Sequence, residues 1–127
     1  MQENGYIIFD GEIKSNKVSL NFEIAWKNET LLHCVKPISF DLREAAHIQD
    51  KSVRFFGYFS LLNQYARQNN LWFDILVASP QQPGLDSAYL KALDLLQDTK
   101  APQRIVTEEN LEEYSDETAV NINKELL

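Results

Sequence analysis

The sequence contains little cysteine, histidine or glycine, and each shortage excludes a kind of site. Cys34 is the only cysteine, so no internal disulfide can form. His33 and His47 are the only histidines, and neither lies at a ligand spacing from the other or from Cys34. We therefore expect no structural zinc and no other metal. The four glycines are scattered, which argues against a phosphate-binding loop, and we expect no cofactor.

Long apolar runs are also missing. No stretch approaches the ~20 apolar residues that a membrane-spanning helix needs, and residues 1–5 lack the features of a signal peptide. The chain has 127 residues, of which 44% are hydrophobic, and this suits one globular domain. The sequence predicts a cytoplasmic protein with no membrane partner.

The negative charge of the chain is confined to its C-terminal part. The formal net charge is −7, and residues 107–127 contribute −6 of it, from seven acids and one base. Residues 1–106 hold twelve acids and eleven bases, a net −1. Such a neutral body has no broad attraction for phosphate backbones, so a nucleic-acid partner is not expected. We predict a compact domain over residues 1–106 and an acidic segment over residues 107–127, partly helical and then frayed.

One amphipathic helix over residues 39–70 is the predicted organising element. Its apolar stripe consists of Ile48, Phe55, Phe59, Leu62 and Ala66. Asp41 suits an N-cap, with Glu44 as its capping-box partner. Asn69 and Asn70 suit a left-handed C-terminal position. A stripe of this width needs a sheet to cover it, and Phe59 near its centre should be fully buried.

Three predicted strands with short turns precede this helix. They are residues 6–9, 18–27 and 30–36. Strict alternation in the second strand predicts one buried face, formed by Val18, Leu20, Phe22, Ile24 and Trp26. Residues 15–17 and 28–29 read as turns, and Pro37 is expected to end the third strand because it cannot donate to the ladder. Consecutive strands joined in this way predict an antiparallel meander.

The elements after the helix complete an α+β fold. They are a strand over residues 71–78, a helix over 85–97, a short strand over 104–106 and an acidic helix over 107–114. A helical crossover allows the strand at 71–78 to run parallel to the meander. The acidic helix offers only Leu111 and Tyr114 as apolar anchors, so we expect weak docking and fraying beyond about residue 115.

Two strands carry residues that suggest a family. Glu23 lies on the polar side of the second strand, and the third contains Cys34, Val35 and Lys36 in succession. With the element order β-β-β-α-β, this resembles the PD-(D/E)XK nuclease superfamily, without its usual first helix. That family uses an acid on the second strand and a (D/E)-x-K tripeptide on the third to hold a divalent metal. Here Cys34 replaces the carboxylate, and a thiol is a poor ligand for Mg²⁺, so we expect no metal-dependent cleavage.

Asp74 interrupts the most apolar strand of the chain and has two interpretations. A buried, ionised carboxylate needs a partner, so Asp74 is either a site acid near the end of a central strand or a half-exposed acid paired with an Arg or Lys. If the chain is an enzyme acting on nucleic acid, its catalytic residues would be Glu23, Lys36 and Asp74. The simpler alternative makes all of them structural.

The polar side of the long helix carries a second unusual group. Val53, Gly57 and Leu61 share this side, and a glycine inside a helix costs about 1 kcal/mol relative to alanine. Gly57 therefore indicates close approach of the second helix or of another subunit, as in a homodimer.

Three functions remain open at this point. The first is a non-catalytic interaction or regulatory domain that binds another protein, on a decayed nuclease-like scaffold. The second is a metal-dependent nucleic-acid-processing enzyme. The third is a small acidic inhibitor of a basic site. Its interaction residues would be Glu108, Glu109, Glu112, Glu113, Asp116 and Glu117.

Overall fold

The computed structural model describes residues 6–14 and 18–126, and it describes the side chains of residues 12–14 and 18–119. The strands are β1 (Tyr6–Lys14), β2 (Ser19–Asn28), β3 (Leu31–Ser39), β4 (Leu71–Ala78) and β5 (Gln103–Val106). The helices are α1 (Ala45–Leu61), α2 (Asn63–Gln68), α3 (Asp86–Gln97) and α4 (Leu111–Leu126), with a 3₁₀ helix at Glu108–Asn110. The turn predicted at residues 15–17 lies outside the described residues.

The five strands form one mixed sheet in the order β1-β2-β3-β4-β5. The pairs β1–β2 and β2–β3 are antiparallel, whereas β3–β4 and β4–β5 are parallel. The α+β fold with a meander and a parallel crossover strand is therefore confirmed. Each parallel connection contains a helix, because a parallel return must bring the chain back along the length of the sheet.

Helices α1, α2 and α3 cover one face of the sheet and enclose the main core. Phe59, which is fully buried in α1, lies with its ring centroid 5.2 Å from that of Phe73 on β4. The Phe73 ring in turn stacks on Phe22 of β2 at 5.5 Å. The apolar stripe of the helix is thus matched to the sheet, and the prediction for Phe59 is confirmed.

The long predicted helix is shorter than expected and divided in two. Residue 39 still belongs to β3, α1 begins at Ala45, and a break at Leu62 separates α1 from α2. Asp41 does not cap the helix: its Oδ1 accepts a hydrogen bond from the backbone amide of Gln81 at 3.0 Å. The N-cap is Glu44, which makes no side-chain cap hydrogen bond. Asn70, with φ of 55°, does adopt the left-handed conformation.

Strand β3 continues through Pro37 instead of ending before it. The pairing of β3 with β2 stops at Val35, while the pairing with β4 continues to Ser39. Beyond Val35 one edge of β3 therefore has no antiparallel partner among the described residues, and a proline that lacks an N–H is tolerated there.

Strand β2 does not keep a single buried face. Leu20 and Phe22 belong to the main core, whereas Trp26 belongs to a second, smaller cluster with Val35, Val106 and Tyr114. Ala25, which the alternation assigned to the polar face, is fully buried opposite Cys34. Both faces of the sheet are covered where Ala25 and Trp26 lie. The alternation of apolar and polar residues alone could therefore not show which side chains of β2 are buried.

Helix α4 covers part of the opposite face of the sheet. It packs against β2, and its residue Tyr114 is buried in the second cluster. The helix extends to Leu126, well past the end predicted near residue 114. Leu111, the other predicted anchor, is 42% exposed. The acidic helix is therefore held by Tyr114 much more than by Leu111.

Candidate functional site

A cluster of polar side chains lies between the sheet and α4, centred on Asp74. The hydroxyl of Tyr114 donates a hydrogen bond to Oδ2 of Asp74 at 2.7 Å, and Nδ1 of His33 lies 3.0 Å from the same oxygen. The indole Nε1 of Trp26 donates to the Tyr114 hydroxyl at 2.9 Å. The side chains of Asp74 and Trp26 are fully buried, and those of His33 and Tyr114 nearly so. We call these four residues the Asp74 network.

Arg104 supplies a positive charge at the border of this network. Its Nε lies 3.8 Å from Oδ1 of Asp74, and its Nη1 bonds to Oε2 of Glu117 at 2.9 Å. Its guanidinium carbon lies 5.0 Å from the centre of the Tyr114 ring, within cation–π range. Asp74 is therefore paired with an arginine, as one interpretation of the sequence proposed. It is fully buried on a strand with two neighbours, so a half-exposed position is wrong.

Strand register brings these residues together. Trp26 lies opposite His33 across β2 and β3, and Asp74 lies between Val35 and Arg104 across β3, β4 and β5. The rings of Trp26 and His33 stack with centroids 3.9 Å apart. Each network member on the sheet thus lies on the face that α4 covers. Tyr114 reaches the network from α4.

The network acts as a structural clamp. An ionised carboxylate in an apolar interior is costly unless it is hydrogen-bonded, and Asp74 receives its bonds from β3 and α4. Burial, followed by the charge of Asp74 and the hydrogen bond to it, raises the pKa of Tyr114 above its ordinary value. Tyr114 therefore stays protonated at neutral pH, so its hydroxyl can donate.

Some buried polar atoms of the cluster make no hydrogen bond to the described residues. Nε2 of His33 and Oδ1 of Asp74 are buried and make no hydrogen bond to the described residues. A histidine bonded to an aspartate through Nδ1 has the orientation used in acid–base catalysis. Here the free Nε2 is enclosed, with the Trp26 ring stacked on one side, so the arrangement gives no access to a substrate.

The three candidate catalytic residues lie in different surroundings. Glu23 is exposed, and Nζ of Lys36 donates to the backbone carbonyl of Asn21 at 2.9 Å. Asp74 is occupied by His33, Tyr114 and Arg104. Over the described side chains, no group of three or more His, Cys, Asp or Glu residues is placed to hold a metal ion.

Cys34 lies on the opposite face of the sheet from His33, as neighbours on a strand must. The thiol is fully buried in the main core. Burial, together with the negative charge of Asp74, raises its pKa from 9.0 to about 12. Because the thiolate is the reactive form, Cys34 has the character of a core residue and not of a nucleophile.

The part of the acidic segment at residues 108–117 presents carboxylates at the surface. Its six acidic side chains are all exposed: Glu108, Glu109, Glu112, Glu113, Asp116 and Glu117. At 100° per residue, Glu112 and Asp116 project from the side of α4 opposite to Tyr114, and Glu113 projects from its flank. Glu108 accepts a hydrogen bond from the backbone amide of Ser79 at 3.1 Å, and Glu117 bonds to Arg104.

The side of α1 that faces away from the core carries two exposed apolar side chains. Val53 is 52% exposed and Leu61 is 45% exposed. Between them Gly57 has no described atom within 4 Å of the position that a Cβ would occupy. The expectation that Gly57 admits close approach of the second helix is therefore wrong, and the alternative of another subunit remains a prediction.

Sequence reasoning identified Asp74 but missed its partners His33, Tyr114 and Arg104, and it missed Trp26, which bonds to Tyr114. The only signal was a carboxylate inside an apolar strand, which requires partners but does not show which residues they are.

Comparisons with protein-family models, curated proteins and solved structures return no match. Among the described residues, no helix has the length and apolar character needed to cross a membrane.

Proposed function

We propose that this chain is a non-catalytic protein-interaction domain that binds a basic surface of another protein through its acidic segment. The observation that carries this proposal is the buried hydrogen bond from Tyr114 to Asp74, which fixes the acidic helix to the sheet. Acidic tails that serve only solubility have no need of such a bond.

A fixed helix binds better than a flexible one with the same charges. Association must compensate for the loss of side-chain and backbone freedom at the interface, and a pre-ordered segment has less freedom to lose. Because Tyr114 holds the inner side of α4, the carboxylates of Glu112, Glu113 and Asp116 keep a constant arrangement on its exposed surface.

The charge distribution supports a basic partner. Residues 1–106 carry a net charge of −1, so the negative potential comes from the acidic segment. Complementary charges accelerate association and select the partner, and both effects weaken as salt increases. A basic protein surface satisfies this requirement, whereas nucleic acid and anionic lipid would be repelled.

The proposal is tested by a charge-neutral variant with Glu112→Gln, Glu113→Gln and Asp116→Asn. After a partner has been identified by affinity capture, its Kd is measured by calorimetry at low and physiological salt. Three surface charge pairs at about 0.5 kcal/mol each predict a loss of about tenfold at low salt and less at high salt.

The matched control is Glu12→Gln, Asp94→Asn and Asp98→Asn, which removes the same charge from exposed positions elsewhere. It should bind within about twofold of the unmodified protein, since no interface is altered. If the two variants bind equally well, the acidic segment is not the interaction surface and the proposal fails. Deletion of the segment is unsuitable, because it would also expose the buried Asp74.

A second candidate function is self-association through α1. The exposed Val53 and Leu61 and the open space at Gly57 support a homodimer in which two α1 helices approach closely. The variant Gly57→Gln should then shift the sedimentation coefficient toward the monomer. Lys27→Gln, at an exposed position of β2 and outside this face, is the control. A protein that sediments as a monomer before any substitution contradicts this candidate.

The scaffold itself we attribute to a decayed nuclease-like ancestor. The strand order and the parallel β3–β4 crossover support this proposal, and Cys34 in place of the carboxylate explains a loss of activity. The runner-up remains an enzyme that uses Glu23, Lys36 and Asp74. It is disfavoured because Lys36 and Asp74 are each engaged by other groups.

A further inference from the structure

We propose that a cavity at the carboxyl ends of β3, β4 and β5 receives one large apolar side chain from the basic segment of the partner. This inference rests on the proposed function, since it assumes that the acidic segment binds a basic protein. It adds an apolar anchor to an interface that would otherwise consist of surface charges.

The cavity lies where α4 leaves the sheet uncovered. Its lining includes Pro37, Leu76, Ala78, Val106, Glu108 and Leu111. Register places Pro37 beside Leu76 and Leu76 beside Val106, so neighbouring strands supply a continuous apolar floor. Leu111, the first residue of α4, forms part of the wall and is 42% exposed.

Position and size both suit a ligand. In open sheets the carboxyl ends of parallel strands are the usual place for binding crevices, and here three such ends meet. The volume is about 210 Å³. An engineered apolar cavity of about 150 Å³ is large enough to bind benzene, so this one has room for a leucine or phenylalanine side chain.

The lining excludes a polar ligand. Apart from Glu108 at its border, the cavity is formed mainly by aliphatic side chains, with the small hydroxyls of Ser39 and Thr107. Water in such a place makes few hydrogen bonds and is readily displaced by an apolar group.

Acidic residues at the entrance of the cavity favour an apolar side chain that is flanked by basic residues. Glu108 lines the cavity, and its Oε1 is held by the backbone amide of Ser79 at 3.1 Å. Glu109 and Glu112 are exposed within one turn of Leu111. An apolar side chain flanked by lysines or arginines would enter the cavity while its neighbours meet these carboxylates. A free fatty acid or an acidic peptide would be repelled.

The inference is tested with two synthetic peptides, Lys-Arg-Phe-Arg-Lys and Lys-Arg-Ala-Arg-Lys, capped at both ends. Burial of the phenyl group predicts that the first peptide binds at least about tenfold more tightly. In methyl NMR spectra of the unmodified protein, the signals of Leu76, Val106 and Leu111 should shift with the phenylalanine peptide and not with the alanine peptide.

Two variants separate the cavity from the charges. Ala78→Phe should fill the cavity and abolish the preference for phenylalanine while leaving the salt-dependent binding of the alanine peptide intact. Leu111→Ala, at an exposed position, should reduce the preference without affecting folding. Equal binding of the two peptides, unshifted methyl signals, or no binding of the phenylalanine peptide overturns the inference. If the peptides bind equally but the charge-neutral variant still loses affinity, the inference fails and the proposed function survives.

Discussion

The hydroxyl of Tyr114 donates a 2.7 Å hydrogen bond to Oδ2 of Asp74, although the two residues are 40 positions apart in the chain. The same hydroxyl accepts a hydrogen bond from Nε1 of Trp26. One atom of the C-terminal helix thus satisfies two buried groups of the sheet, and it makes the acidic helix part of the folded domain.

Tyr114→Phe should destabilise the protein by about 1–3 kcal/mol, because Asp74 and Trp26 each lose a buried partner. Urea denaturation measures this change. The control is Tyr89→Phe, which keeps the ring contact with Phe40 and removes a half-buried hydroxyl; it should change the free energy of unfolding by less than about 0.5 kcal/mol. Equal effects of the two substitutions would show that the hydrogen bonds of Tyr114 contribute nothing.

Phe59→Ala should cost about 3–5 kcal/mol, since the ring is fully buried between α1 and the sheet. In a domain of ordinary stability this loss comes close to unfolding. Val53→Ala on the exposed side of the same helix is the control and should be nearly neutral. An unchanged denaturation midpoint for Phe59→Ala would mean that the apolar face has been misplaced.

Cys34 should resist alkylation in the native protein. Its pKa of about 12 leaves almost no thiolate at pH 8, and the side chain is fully buried. Mass spectrometry after iodoacetamide treatment should detect a modified Cys34 only when urea is added. Rapid modification without denaturant would contradict the packing of β3 against the helices.

The stability of the protein should fall as the pH rises above about 9. The pKa of Cys34 is 9.0 in an ordinary environment and about 12 in the folded protein, so unfolding releases a proton in this window. The stabilisation is complete well below pH 9 and is lost toward pH 12, with a slope that approaches roughly 1 kcal/mol per pH unit. The variant Cys34→Ala should show a shallower slope between pH 9 and 10, since the raised pKa of Tyr114 still contributes there, and urea denaturation of both proteins provides the comparison.

No cleavage of plasmid or single-stranded DNA is expected with Mg²⁺ or Mn²⁺. Cys34 stands where a carboxylate would hold the metal, and Lys36 is bonded to the carbonyl of Asn21. The measurement is a gel assay with a separately purified Glu23→Ala variant as the control. Cleavage that disappears in this variant would establish the enzyme interpretation.

Strands and helices that depend on local periodicity could be predicted from the sequence. The strand at Leu71–Ala78 was placed correctly to the residue, because an apolar run between turn residues is a local signal. The same was true of the helix now seen at Asp86–Gln97, to within one residue. Elements of this kind need no knowledge of the rest of the chain.

Features that depend on packing between distant parts of the chain could not be predicted from the sequence. The partners of Asp74 come from β3, β5 and α4, and no spacing rule connects such positions. The burial of Ala25 and the survival of β3 beyond Pro37 depend likewise on which neighbour covers or pairs with each strand. The cavity beside Leu111 depends on where α4 begins to cover the sheet, which the alternation of single strands does not reveal.

The position of Tyr114 also has a consequence for synthesis on the ribosome. Trp26 and Asp74 emerge long before Tyr114, so a growing chain can assemble its sheet while this face of the sheet is still open. Closure then requires contacts across 40 and 88 positions, which form late because the intervening chain must first be ordered. The arrangement of carboxylates on α4 is therefore fixed against the sheet only after Tyr114 has been synthesised.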